Sequence, residues 1–149
     1  MITFDEINFN DPATLKIIAD GGAEDIPIFF LQNTFNPFPY YRRIPNLSFD
    51  DLVVINAIGY SYYGDEQLEK YIYHRNNPSK IPVNLLSAFT KETAGLIIFR
   101  EQIKNIIKHF TNWPDEKVDK MRRDLGKKDI RCKEPFLSCF KDQSEGGTI

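Results

Sequence analysis

Two neighbouring stretches, Gly95-Leu96-Ile97-Ile98-Phe99-Arg100-Glu101-Gln102 and Met121-Arg122-Arg123-Asp124-Leu125-Gly126-Lys127-Lys128, frame the part of this chain that decides its fold. Phe99, Ile103, Ile106, Ile107 and Phe110 recur at helical spacing, which predicts an apolar-faced helix over residues 94–110. Asn112-Trp113-Pro114-Asp115-Glu116 opens another helix, with proline early, where its missing N–H costs little, and two acids in the first turn, where the helix dipole favours them. Val118, Met121 and Leu125 supply its buried stripe, and Gly126 is placed to cap it. Lys120, Arg123 and Lys127 fall largely on the other side, with Arg122 at the flank. The expected fold class is mostly α: a compact multi-helix domain with an ordered proline- and aromatic-rich loop and little or no strand.

Working outward, Asp11 as N-cap, Pro12 at the first position and Gly21-Gly22 as the stop predict a short helix up to Asp20. Ile26 to Leu31 is a compact apolar run that suits either a short buried extended segment or a buried helical turn. Asn33 to Pro45 holds three prolines among aromatics and is expected to be an ordered loop, not regular helix. Ser48 with Asp51 resembles a capping box, and Leu52, Ile55 and Ile58 place a helix near residues 49–59, ended by Gly59. Asp65 is placed to cap a further helix facing Leu68, Tyr71 and Ile72 inward, before Asn76-Asn77-Pro78 forces a turn. Pro82 to Thr90 predicts one more short helix, and beyond Lys128 the pattern fades towards a frayed tail at 141–149. No internal repeat or long linker divides the chain, so one domain over residues 1–149 is expected.

Composition agrees with a folded protein: 42% hydrophobic and 27% charged residues over 149 positions suffice for a real core. No apolar run approaches the roughly 18–20 residues that span a bilayer, and the first residues lack the plan of a signal peptide, so a cytoplasmic location without membrane contact is expected. Cys132 and Cys139 form neither a disulfide framework nor a zinc ribbon and are expected to be reduced thiols. The formal charge is −2, but Lys117 to Lys133 carries eight cations against three anions, a local excess of five on an otherwise acidic chain. Such a segment attracts phosphate or nucleic acid locally.

Arg122, Arg123, Lys127 and Lys128 together suit a triphosphate or a nucleic-acid backbone, because guanidinium forks match phosphate oxygens and lysines add point charge. The plain alternative is a solvated helix face. Tyr40, Tyr41, Arg42 and Arg43 mix rings and cations, either to stack on bases or, for the rings, to fill the core. His74 and His109 stand in no metal-ligand spacing, and Asp50-Asp51, Asp65-Glu66 and Asp115-Glu116 sit at expected helix starts, where capping explains them. No phosphate-binding glycine loop of the Gly-x-x-x-x-Gly-Lys-Ser/Thr type is present.

In order along the chain stand Phe29-Phe30-Leu31-Gln32-Asn33, Phe49-Asp50-Asp51-Leu52, His74-Arg75-Asn76-Asn77-Pro78, Thr93-Ala94-Gly95-Leu96-Ile97-Ile98-Phe99-Arg100-Glu101-Gln102 and Arg122-Arg123-Asp124-Leu125-Gly126-Lys127-Lys128. Their order resembles the fingers region of the bacterial C-family replicative polymerase, the DNA polymerase III alpha subunit, whose members carry Phe-Glu-Asp-Leu, a Thr-Tyr-Gly-Ile-x-x-Tyr-Gln-Glu-Gln segment and Arg-Arg-Ala-Met-Gly-Lys-Lys. The resemblance runs from about Asp5 to Phe140, and its last two motifs are specific in combination. It implies that Arg122 and Arg123 face the phosphates of the incoming deoxynucleoside triphosphate, that Lys127 and Lys128 support them, and that template-primer DNA and the remaining polymerase domains are the partners. Arg42, Arg43, Arg75 and Arg100 are the further cations available for DNA contact.

The chain departs from the pattern at Gln32-Asn33, in place of Glu-Ser, and at Gly59-Tyr60-Ser61-Tyr62, where an Arg-Pro-Gly turn belongs. The family's metal-binding aspartates lie in the palm, upstream of anything in this chain. The resemblance therefore implies no catalytic residue and no metal site here, Mg2+ only with that palm, and no polymerisation by the chain alone. The alternative from another class is a free-standing, non-catalytic module that binds nucleic acid or protein.

Overall fold

A computed structural model of the protein describes residues 3–22, 35–60 and 64–127. The run Ile26 to Leu31, the segment Phe29 to Asn33, Lys128, both cysteines and the tail 141–149 lie outside the described residues. Among the described residues there are seven α-helices and no strand. They divide into two compact units, Met1–Val83 with Lys91–Ile98, and Asn84–Thr90 with Phe99–Ile149.

The first unit holds α1 (Pro12–Ala19), α2 (Phe38–Tyr41), α3 (Phe49–Gly59) and α4 (Gly64–Asn76). Asp11 caps α1 as its position predicts, its carboxylate accepting from the backbone N–H (2.8 Å) and hydroxyl (2.7 Å) of Thr14. The proline-rich segment differs from expectation, because Phe38–Tyr41 forms one helical turn. Pro37 is its N-cap and Pro39 lies in its first turn, so neither ring removes a helical hydrogen bond, and Asn36 Oδ1 accepts from the Phe38 N–H (3.0 Å). That turn drives Phe38 and Tyr41 fully into the core.

The helix over 49–59 is found at Phe49–Gly59. Gly59, its last residue, is demanded by a neighbour and not by its backbone angle: a Cβ there would lie 2.1 Å from Cε1 of Phe35. Against α3 packs α4, and Ile55, Ile58, Leu68, Tyr71 and Ile72 bury where they meet.

One carboxylate organises this pair of helices. Asp51 is the third residue of α3, and its cap role is real: Oδ2 accepts from the Ser48 N–H (2.8 Å) and Oγ–H (2.7 Å). It is also buried, at 1% exposure, and Oδ1 accepts from the Tyr71 hydroxyl (2.7 Å) and from Arg75 Nε (2.8 Å), while Arg75 Nη2 reaches Oδ2 at 3.2 Å. Burial alone would push this carboxyl up, but hydrogen bonds from Arg75, Ser48 and Tyr71 outweigh burial and hold it below its ordinary value. Burial, reinforced by the Asp51 hydrogen bond, pushes the Tyr71 phenol far up, so it stays a donor.

The helix expected over 94–110 begins only at Arg100. Ala94 (φ 51°) and Gly95 (φ 84°) are both left-handed, which no α-helix accommodates, and the Ala94 carbonyl accepts from Nδ1 of the buried His74 (2.8 Å). That bond fixes the Nδ1–H tautomer and accounts for His74 structurally.

The second unit holds α5 (Ser87–Thr90), α6 (Arg100–Thr111) and α7 (Asp115–Leu125). The helix expected over 82–90 is reduced to α5 because Asn84 builds a turn of its own: Oδ1 accepts from the Leu86 N–H (2.8 Å) and its N–H donates to Ser87 Oγ (2.8 Å).

Breaking a buried ion pair from one side costs about 3 kcal/mol or more, so Asp51→Ala should lower the urea stability of the chain, followed by far-UV circular dichroism, by about that amount. Because the native carboxyl is held low, its contribution is full above about pH 4 and fades as pH falls through the depressed native value. The variant should therefore lose less stability than wild type between about pH 4 and pH 2, and parallel pH profiles would contradict the assignment.

Candidate nucleotide-phosphate site

In the second unit, α6 and α7 are joined by Asn112-Trp113-Pro114, where Asn112 caps α6 in the left-handed conformation (φ 51°). Ile107, Val118 and Met121 form the buried seam, with Ile103, Trp113 and Leu125 packed against it. The stripe read from the sequence on α7 is thus the observed one. Lys104 Nζ meets Asp119 Oδ1 at 3.2 Å, and Lys108 Nζ meets Asp115 Oδ1 at 2.7 Å. As residue numbers rise by four on α6 they fall by four on α7, so the two helices run antiparallel.

Comparing magnitudes separates packing from charge. Each seam side chain contributes about 1.5–3 kcal/mol by burial, whereas exposed ion pairs contribute about 0–1 kcal/mol each. Apolar packing therefore holds the hairpin, and the charged rungs add register.

With the register set, the basic groups gather at one end of the hairpin. Asp119 Oδ1 accepts from Arg122 Nε (3.3 Å) and from Lys104, and Oδ2 meets Arg123 Nη1 at 3.2 Å. Three cations thus surround one carboxylate, and the hydrogen bond from Lys104, with a smaller contribution from Arg122, holds it below its ordinary value. Arg122 is largely covered, with its side chain 20% exposed, whereas Arg123 is 61% exposed. Lys127 pairs with Asp124 (2.5 Å), which it holds low in turn. The register sets Arg100, the exposed first residue of α6, level with Arg123. Gly126 is the C-cap of α7 as its position suggests, though in a right-handed conformation (φ −75°).

Arg122, Arg123, Lys127 and Arg100 are thus placed in one unit, while Lys128 lies outside the described residues. Within its bounds α7 carries four anions and four cations, because Asp115 and Glu116 offset the excess of two cations between Lys117 and Leu125; the other three of the excess of five lie beyond Gly126. Lys104 escaped the reading of the sequence. The signal was there: Arg100, Lys104 and Lys108 recur every four residues and line one flank of α6.

The other expected DNA-contacting arginines sit in the first unit with protein partners. Arg42 donates from Nε to the Ala19 carbonyl (3.3 Å) and from Nη2 to that of Asp20 (3.5 Å), closing the C-terminal end of α1. Arg43 makes a bidentate pair with Glu69 at 2.5 and 2.7 Å, and Arg75 holds Asp51. Tyr41 has no exposed ring for a base: it is buried, accepts from Asn56 Nδ2 (2.6 Å), and burial pushes its phenol up to about 12.

A helical hairpin whose last turn presents paired arginines is the arrangement that the sequence motifs describe, and the family is shown by comparison. The family model of the bacterial DNA polymerase III alpha subunit finger domain matches residues 1–144, and the chain belongs to this family. It is similar to the DNA polymerase III subunit alpha of Staphylococcus aureus (strain N315), 27% identical over 129 residues, covering 85% of this chain and 12% of that protein. It is also similar to the DNA polymerase III subunit alpha of Treponema pallidum (strain Nichols), 24% identical over 142 residues, covering 94% of this chain and 12% of that protein. The chain thus spans about an eighth of the length of these relatives. No solved structure matches it.

Among the described residues no three His, Cys, Asp or Glu side chains gather to hold a metal ion, and no helix is long and apolar enough to cross a membrane.

Trp113, the chain's single tryptophan, lies against the seam with Lys117 Nζ 3.7 Å from its ring centroid, so its fluorescence reports on this hairpin. Ile107→Ala should shift the urea transition of that fluorescence by about 2–5 kcal/mol, and Asp115→Asn by far less, because its ion pair is solvent-screened. Equal losses would contradict the ranking of packing over charge.

Proposed function

We propose that this fingers domain holds the phosphates of the incoming deoxynucleoside triphosphate at the basic end of the α6–α7 hairpin. Arg122 and Arg123 are the principal donors, and Lys104, Lys127 and Lys128 are supporting cations. The observation that carries this proposal is the convergence of Arg122, Arg123 and Lys104 on a single carboxylate: side chains that already share one anion are positioned to share a phosphate. A purely structural account has cations in the last turn of α7 offsetting its dipole and Lys104 serving as an interhelical rung; the phosphate reading adds a reason for all three to meet on one carboxylate.

In this proposal the domain positions and neutralises; it performs no bond-making step. Template-primer DNA is the second partner. Arg100 is the arginine best placed to touch it, since Arg42, Arg43 and Arg75 already hold protein groups in the first unit. The remaining polymerase domains would supply the palm carboxylates, and Mg2+ is expected only with them, where it would supply the charge stabilisation for phosphoryl transfer. A replicative role places the assembly in the cytoplasm.

Arg122→Ala and Arg123→Ala should each weaken deoxynucleoside triphosphate binding about tenfold or more, the loss expected for one charge-assisted contact. Equilibrium dialysis on an assembly that contains the palm measures this directly. Unchanged affinity in both variants would overturn the proposal. Salt-dependent binding of single-stranded DNA with no response to nucleotide would point instead to a free-standing nucleic-acid-binding module.

A further inference from the structure

Asp119 is poorly explained by stability. It lies on α7 with its side chain 33% exposed, its ion pairs are of the weak surface kind, and the apolar seam holds the hairpin without it. Yet it engages three cations at once: Lys104 at 3.2 Å and Arg122 at 3.3 Å through Oδ1, and Arg123 at 3.2 Å through Oδ2. Two carboxylate oxygens facing a lysine and two guanidinium groups present the same donors that a phosphate group would use, and both anions cannot fill that space together.

We infer that Asp119 is a built-in substitute for phosphate, a carboxylate that keeps Lys104, Arg122 and Arg123 gathered and neutralised until a polyphosphate displaces it. The inference deepens the phosphate-binding proposal and rests on it. Displacement has two consequences. The cations are preorganised, so little side-chain entropy is lost when the ligand arrives. The carboxylate also competes, so weakly charged anions such as monophosphates gain little, while a triphosphate with several charges prevails. The exchange breaks no covalent bond: the freed carboxylate moves into solvent as the phosphate takes over its donors.

Asp119→Asn removes the competing charge and keeps the shape. The probe is inorganic tripolyphosphate, titrated calorimetrically into the 149-residue chain at low salt. Removing a unit charge a few ångströms from the bound anion should tighten binding by about tenfold. Asp115→Asn changes net charge equally but at the other rung, and should change affinity by less than about twofold. Equal gains in both variants, or no gain or a loss in Asp119→Asn, would overturn the inference. If neither Asp119→Asn nor wild type binds, the inference and the phosphate-binding proposal fall together. If Arg122→Ala weakens binding while Asp119→Asn does not strengthen it, the inference alone falls. Should Asp119→Asn fail to fold, wild type decides: at saturating tripolyphosphate the side-chain carboxyl carbon resonance of Asp119 should move while that of Asp115 stays, and a stationary Asp119 signal would overturn the inference.

Discussion

The candidate site depends on the seam between α6 and α7. Ile107, Val118 and Met121 are buried there, each contributing about 1.5–3 kcal/mol by burial. Once they pack, an antiparallel register follows that sets Lys104 beside Asp119 and Lys108 beside Asp115. Everything offered to an anion is a consequence of that register. Arg122 and Arg123 follow Asp119 by one turn of the same helix, so a single carboxylate is reached from both helices. The chemistry of the site thus rests on apolar packing, with the charged rungs adding register.

The first unit adds a buried ion pair to its apolar core. Its α3–α4 pair encloses a carboxylate, Asp51, whose burial would be untenable without the donors of Ser48, Tyr71 and Arg75. Such a network demands one arrangement of the two helices. Its arginine is held by a buried acid, whereas the arginines of α7 share a partly exposed one with a lysine. That difference separates a cation built into the fold from cations that an incoming ligand can recruit.

Local chemistry made much of this legible before any coordinates. Asp11 and Ser48 announced two helix starts because a cap is decided within three residues, and Val118, Met121 and Leu125 announced a buried face because helical period is a local property. Interactions across long separations were not legible in the same way. Asp51 reads as a cap only, since nothing in its neighbourhood announces Arg75, 24 residues on. Lys104 carries no local sign of its role because its partner belongs to another helix. The false start of α6 has a different origin: the periodic residues run only from Phe99 to Phe110, and two left-handed residues, Ala94 and Gly95, keep the stretch before Arg100 out of the helix, with no outward sign in Ala94 of that conformation. The family resemblance supplies the role of Arg122 and Arg123; residue pattern alone favours a solvated helix face.

The most direct measurement of the account is an NMR titration of the arginine side-chain Nε–H resonances of the chain with deoxynucleoside triphosphate. The account predicts saturable shifts at Arg122 and Arg123, with the Arg75 resonance unmoved because its donors stay on buried Asp51. Shifts spread evenly over all the arginines, or none at Arg122 and Arg123 at saturation, would contradict the claim that this end of the hairpin receives the phosphates.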